Sequence, residues 1–347
     1  MKKTAVLPAW GRVLTGRTPM LSLEITKECP LSCPGCYAYQ SEHLNNGVTL
    51  RQLSDLRGDA LVERMLAVAR HYRPIHISIV GGEPLVRYRE LSELLPKLGR
   101  MGIEVQLVTS AVRPIPAEWA SLECLHLVVS IDGLQPEHDR RRAPATYDRV
   151  LKHIAGHSVI VHCTVTRQQI AREGYLAEFA AVWSARPEVR KIWFSLYTPQ
   201  EGEASEERLT PDDRLSAVRQ LAAVRSAFPK VYLPDVVLRG YVDTPKSPAE
   251  CIFARVTTCL SADLSSAVTP CQLGGKPVCS ECGCIASAGL ASIGNFKVAG
   301  LVPVSRILDW SVKVGRRLNQ NGAAQQQKPS RDRKGAVSAA AGTQGGT

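Results

Sequence analysis

The feature that most limits the fold of this chain is a repeat of short β-rich runs separated by helix-like stretches. Strand patterns fall at 21–26, 75–80, 104–109, 126–132, 159–166 and 192–197, and amphipathic stretches at 50–72, 88–101, 147–156 and 175–185 lie between them. Six βα repeats of this kind predict an α/β fold with a parallel sheet and right-handed crossovers. Six units are too few for a closed eight-stranded barrel, so an open or partial barrel is expected.

The strands carry a second message, because side chains alternate faces with period two. Leu21, Leu23 and Ile25 share one face, and Ser22, Glu24 and Thr26 share the other. The same split sets Ile77 and Ile79 against His76 and Ser78, Val105 and Leu107 against Glu104 and Gln106, and Val129 and Ile131 against Ser130 and Asp132. On the fifth run Val161 and Val165 oppose His162, Thr164 and Thr166. A closed barrel fills its lumen with Val, Ile and Leu. A polar face in strand after strand instead predicts a wet, ligand-holding cavity, with the apolar face packed on helices. The other reading is a one-sided sheet with a solvated face, against which the βα alternation counts.

The 347 residues allow one large domain and a smaller one. Residues 1–17 read as an N-terminal extension and 18–235 as the core. Beyond residue 235 the periodicity weakens: Pro245, Pro248 and Pro270 punctuate a segment, 236–290, holding Cys251, Cys259, Cys271, Cys279, Cys282 and Cys284. Metal ligation can order such a segment where apolar burial cannot. The stretch 285–318 looks helical, and 319–347 is Gln-, Ala- and Gly-rich and is expected to be disordered. Pro8, Trp10, Gly11 and Arg12 interrupt any apolar leader, and no apolar run reaches the ~18 residues of a spanning helix. A cytoplasmic protein is therefore expected, in which eleven cysteines mean metal or catalysis rather than disulfides. The net charge of +11 comes without a basic run interleaved with aromatics, so no nucleic-acid partner is expected. An anionic substrate or a membrane surface stays open.

Three constellations carry chemistry in the core. Cys29-Pro-Leu-Ser-Cys33-Pro-Gly-Cys36 places three thiols within eight residues just after the first strand. Three local thiolates suit a [4Fe–4S] cluster that keeps one iron free for a small molecule; zinc usually takes four ligands in CxxC pairs. Gly81-Gly82-Glu83-Pro84 follows the second strand, where glycines allow close backbone approach and Glu83 offers a carboxylate to an ammonium. Ser130 and Asp132 of Ser130-Ile131-Asp132-Gly133 end the fourth strand on its polar face. His162, Thr164 and Thr166 are further lumen candidates. The run Asp139-Arg140-Arg141-Arg142 is either a solvated loop or a clamp for a phosphate or carboxylate.

On these residues the sequence resembles the radical S-adenosylmethionine (SAM) superfamily over roughly residues 18–235, whose signature is CxxxCxxC after the first strand of a partial (β/α)6 barrel. The resemblance implies a [4Fe–4S] cluster on Cys29, Cys33 and Cys36, with SAM on its open iron. It implies that SAM is cleaved to methionine and a 5′-deoxyadenosyl radical, which takes hydrogen from an organic substrate. It also implies that Gly81, Gly82, Glu83 and Pro84 hold the SAM amino group, and that Ser130 and Asp132 contact its ribose or carboxylate. The chain departs from the pattern at Gly35, where the family often has an aromatic residue; Tyr37 or Tyr39 is expected to take over the adenine contact.

The later cysteines resemble SPASM or twitch extensions, which carry auxiliary [4Fe–4S] clusters. One auxiliary cluster held by four of Cys259, Cys271, Cys279, Cys282 and Cys284 is expected, with a structural zinc as the alternative. The substrate class stays open, with a peptide or protein side chain implied by SPASM-type relatives. A flavodoxin or ferredoxin is the expected reductant. The competing reading is a non-catalytic iron–sulfur electron-transfer or scaffold protein, which needs the cysteines but not the Gly81–Pro84 turn or the polar lumen.

Overall fold

The computed structural model describes residues 6–45, 47–144 and 147–294, with short pieces at 297–298, 302–303, 306–307, 310–311 and 313–315. Seven strands form one sheet: β1 (Met20–Glu24), β2 (His76–Val80), β3 (Glu104–Thr109), β4 (Leu125–Ser130), β5 (Val159–Val165), β6 (Val189–Leu196) and β7 (Thr257–Leu260). Their order is β6-β5-β4-β3-β2-β1-β7, and every pairing is parallel. The sheet is not closed, and the partial barrel expected from six βα units is what forms. β7 is an addition. It lies in the cysteine-rich segment and pairs with β1 across more than two hundred residues, Ser22 opposite Cys259.

The helices are α1 (Val6–Leu14), α2 (Gly58–Tyr72), α3 (Tyr88–Arg100), α4 (Gln135–Arg141), α5 (Tyr147–His153), α6 (Arg167–Ala171), α7 (Tyr175–Ser184), α8 (Pro211–Ala227), α9 (Asp235–Gly240), α10 (Ile252–Val256) and α11 (Ile285–Gly294). Local signals set their ends. Thr210 Oγ1 accepts from Asp213 N while the Asp213 carboxylate accepts from Thr210 N, with Pro211 opening α8. α2 stops at Arg73, which turns left-handed at φ 48°. The single helix expected over 50–72 is broken. A 3-10 turn at Leu50–Gln52 ends in an extended stretch before α2 begins. That stretch frees Asp55 to take Arg87 Nη2 at 2.5 Å and the Lys27 amide at 3.3 Å. Of the helix expected over 285–318, the part through Gly294 is present as α11, but Lys297–Val298 and Val302–Pro303 pair as antiparallel strands instead, so the stretch is not one helix; the tail 319–347 lies outside the described residues.

One face of the sheet is apolar and dry. Leu21, Leu23, Ile77, Ile79, Val105, Leu107, Val129 and Val161 pack with Leu61 and Met65 of α2, Leu91 and Leu95 of α3, and Phe179 and Trp183 of α7. Each such side chain contributes about 1.5–3 kcal/mol on leaving water. On the other face Gln106, His162, Thr164 and Trp193 are half-buried, as an open, polar-lined concavity requires.

Candidate active site at the carboxyl ends of the strands

The chain leaves β1 and enters the loop that carries Cys29, Cys33 and Cys36. The turn after β2 is locked onto this loop: Gly82 N donates to Thr26 O at 2.9 Å and Glu83 N to Glu28 O at 2.8 Å. A Cβ on Gly82 would lie 2.1 Å from the Glu28 carbonyl oxygen, and Gly81 sits at φ +126°, so neither place tolerates a side chain. Glu83 is buried. Its carboxylate accepts from Leu85 N at 3.0 Å, Ser110 N at 2.7 Å and Thr109 Oγ1. Burial raises its pKa against the pull of these three donors. They take most of a carboxylate's acceptor capacity, so this side chain fastens the turn, begun at Pro84, to the end of β3.

Asp132 is also buried, and two arginines meet on its Oδ2: Arg142 at 2.7 Å and Arg141 at 3.1 Å. Its other oxygen accepts from Thr164 N at 3.2 Å. Burial opposes the charge, but the two guanidiniums outweigh it and hold the carboxyl far below the usual range. Arg142 also donates to Ser110 Oγ at 2.7 Å and faces Cys33 and Cys36. The basic run is thus no solvated loop. Arg141 and Arg142 fold inward, and Arg141 grips Glu207 through two bonds of 2.9 and 2.7 Å. Ser130 ends β4 buried, in register with His162, whose Nε2 lies 2.8 Å from Ser195 Oγ. Thr166 does not serve the lumen. It is buried as the N-cap of α6, sharing a capping box with Gln169.

The three loop thiols lie close enough to affect one another. Burial pushes Cys29 up to about 11, with Glu83, Cys33 and Cys36 adding to the rise. Burial raises Cys33 and Cys36 as well, and Arg142 opposes it at both. Ligation needs thiolates, and Arg142 is a buried cation placed to favour them. Soft sulfur donors beside such a cation fit an anionic iron–sulfur cluster. A cleft of about 400 Å³, lined by Lys27, Glu28, Cys29, Pro30, Arg51 and Val86, leads to the loop from outside. Neither Tyr37 nor Tyr39 stands over Gly35. The hydroxyl of Tyr39 donates to Lys27 O at 3.0 Å, and the Tyr37 ring turns toward His43 with its centroid 5.8 Å away. A Cβ on Gly35 would instead meet the Tyr197 hydroxyl at 3.3 Å.

A second cavity is walled by Cys251, Cys271, Cys279, Cys282 and Cys284 together with Phe253, several prolines and no charged residue. Four of the five expected cysteines are brought together here and Cys251 joins them. Cys259 stands on β7, off the cavity wall, near Glu24 and Cys284. The cavity measures about 30 Å³, room for no more than about two or three waters. An iron–sulfur cube therefore needs the loops of Cys271, Cys279 and Cys282 to spread. Among the described residues no three His, Cys, Asp or Glu side chains close on a point as a single metal ion requires.

One buried pair, which no local motif announces, joins these two regions. His43 Nε2 lies 2.8 Å from Glu24 Oε1, with both side chains buried, and Ser261 Oγ donates to the other oxygen of Glu24 at 2.6 Å.

Together these features define an α/β protein whose open parallel barrel presents a three-thiol loop, a buried arginine–carboxylate pair and a glycine turn at the carboxyl ends of its strands. Residues 23–156 match the model of the Radical SAM superfamily. Among curated relatives, 7-carboxy-7-deazaguanine synthase of Hyperthermus butylicus is 32% identical over 102 residues, 29% of this chain and 39% of that protein. PqqA peptide cyclase of Bradyrhizobium diazoefficiens is 32% identical over 117 residues, 33% of this chain and 28% of that one. The chain thus spans less than two fifths of the length of these relatives. Among solved structures, Streptococcus suis SuiB bound to precursor peptide SuiA superposes with a TM-score of 0.54 at 15% identity, covering 82% of this chain and 67% of SuiB. Native anSMEcpe with bound AdoMet superposes with a TM-score of 0.52 at 17% identity, covering 73% and 75%. These two show the fold. No helix among the described residues is long and apolar enough to cross a membrane.

Proposed function

We propose that this chain is a radical SAM enzyme that modifies a peptide or protein side chain. The observation that carries the reading is the convergence on one loop of Cys29, Cys33 and Cys36 with the Gly81–Glu83 turn and the Arg142–Asp132 pair. When bound, the [4Fe–4S] cluster and SAM supply one-electron cleavage to methionine and a 5′-deoxyadenosyl radical, which takes a hydrogen atom from the substrate and leaves as 5′-deoxyadenosine. The chain's residues hold and shield. The three thiols ligate iron as thiolates. Gly81 and Gly82 let the turn close on the cysteine loop and leave backbone groups facing the SAM amino group. Arg142 offers a guanidinium to the SAM carboxylate, with Asp132 fixing its plane and Ser130 beside the ribose. His162 and Thr164 line the space below, where the substrate enters.

A peptide substrate is supported by the relatives and neighbours named for a peptide. An acidic flavodoxin or ferredoxin supplies the electron, and the cleft bordered by Lys27 and Arg51 at Cys29 suits its charge. With the loops of Cys271, Cys279 and Cys282 spread, four of Cys251, Cys271, Cys279, Cys282 and Cys284 would hold an auxiliary cluster in the second cavity. Its donor set, all sulfur, also suits zinc.

The test is anaerobic reconstitution, reduction with dithionite in the presence of SAM, and chromatography for 5′-deoxyadenosine. Formation above a Cys33→Ala control is expected. If none forms, even with a panel of peptides present, the enzyme reading fails and an electron-transfer or scaffold protein stands. Iron, sulfide and zinc assays decide the second cavity: about eight irons per chain support the auxiliary cluster, and about four irons with one zinc refute it.

A further inference from the structure

The two cysteine regions are far apart in sequence, yet one side chain is built into both. His43 lies seven residues past Cys36 and is 1% exposed. On one side its Nε2 meets Glu24 at the end of β1, and the Tyr37 ring, next to Cys36, leans on its imidazole. On the other side it fills a socket made by Leu273, Gly274 and Gly275. Its Nδ1 lies 3.3 Å from Leu273 O, and its own carbonyl accepts from Gly275 N at 3.2 Å. The socket is shaped for it. A Cβ on Gly274 would lie 2.2 Å from His43 O and 2.5 Å from its Nδ1, and both glycines are left-handed, at φ +63° and +57°. The same turn begins at Cys271, whose carbonyl accepts from Gly274 N at 2.9 Å. Gln272 then reaches Cys284 Sγ at 3.5 Å. Nearby, Asn45 Nδ2 donates to Thr269 O at 2.6 Å, and Ser261 completes the Glu24 carboxylate.

A buried carboxylate–imidazole pair is costly unless every partner is in place. This one is satisfied only when β1, the core cysteine loop and the 271–275 turn are all docked. We infer that His43 is a positioning residue that latches the core cysteine loop to the auxiliary cysteine segment, so that order at either metal site is transmitted to the other. The inference rests on the two-site reading for its meaning, but the latch itself exists without metal.

The test therefore uses the metal-free full chain. Alkylation rates of Cys36, Cys271 and Cys163 are measured by mass spectrometry in the wild type, His43→Ala and Ser261→Ala. Losing the latch opens both loops locally, so His43→Ala is expected to speed Cys36 and Cys271 together by about ten-fold, and Ser261→Ala to speed both by a smaller, matched factor. Cys163, fully buried in the core, reports global unfolding. If it accelerates in His43→Ala, the milder Ser261→Ala decides. Acceleration of Cys36 alone, of Cys271 alone or of neither overturns the latch. A chain that shows the coupled rates but takes up no iron sinks the enzyme reading and leaves the latch standing. In the loaded protein, a double-substitution cycle adds a second readout: chelator-driven iron loss from the core site should rise about ten-fold on Cys282→Ala or on His43→Ala, and no further when both are present.

Discussion

Replacing Asp132 by Asn keeps the side chain's shape and removes its charge. Asp132 is 3% exposed in its side chain and Arg142 is 17% exposed, so the change strands a guanidinium that solvent barely reaches. Removing one partner of a buried pair costs about 3–5 kcal/mol. Arg141 keeps Glu207 and absorbs part of the loss, which places the expected cost near the lower end, about 3 kcal/mol. Equilibrium urea unfolding followed by tryptophan fluorescence measures it as a lower midpoint at unchanged slope. The partner substitution Arg142→Gln removes the stranded charge, so the double variant should recover about 2 kcal/mol relative to the sum of the singles. The pH dependence has a defined sign. The folded carboxyl titrates far below its unfolded value, so its contribution is complete above about pH 4. It is lost only as pH falls from there toward the folded value. Hence the wild type and Asp132→Asn should differ by a constant amount between pH 5 and 8. A loss under about 1 kcal/mol, strict additivity, or a gap that closes near neutral pH would refute this account of the site.

Gly82→Ala should abolish iron uptake at the core loop, because a methyl group 2.1 Å from the Glu28 carbonyl must push the loop away; iron content after reconstitution reads it. His76 and His138 are lowered to about 4, chiefly by burial, so each stays neutral when folded and takes up a proton on unfolding. Stability should fall as pH drops from about 6.5 to 4, by about 1 kcal/mol or more for each, as urea midpoints across that range will show. Tyr241→Phe removes the buried bond from its hydroxyl to Phe194 O at the site end of β6. It should cost about 1–2 kcal/mol by the same measurement, with no change in metal content.

Most of the core was legible because its strands are short, apolar on one face and separated by turn residues. The cysteine loop and the glycine turn were legible because their chemistry is local in sequence. β7 was not. Its four residues, Thr257–Leu260, are too few for a periodic signal, and its place is set by pairing with β1. The exchange of Cys251 for Cys259 on the cavity wall has the same origin: a strand residue and a helix-cap residue look alike as bare cysteines. Alternation alone puts Glu24 on the lumen face, and only the fold reveals His43 and Ser261 on its two oxygens. The roles of Thr109 and Ser110 in tying down Glu83 were likewise invisible, since nothing in a Thr-Ser pair announces a partner twenty-six residues upstream.

The pairing of β1 with β7 also sets an order of events during synthesis. β1 occupies an inner position of the sheet, and one of its two neighbours is encoded near the far end of the described chain. Until that stretch leaves the ribosome, β1 has an open hydrogen-bonding edge, and the loop that follows it lacks the contacts supplied from residues 261 and 273. The cysteines made first are therefore completed last. A nascent or truncated chain ending near residue 250 would carry all three core thiols on an unfinished scaffold, with an aggregation-prone edge beside them.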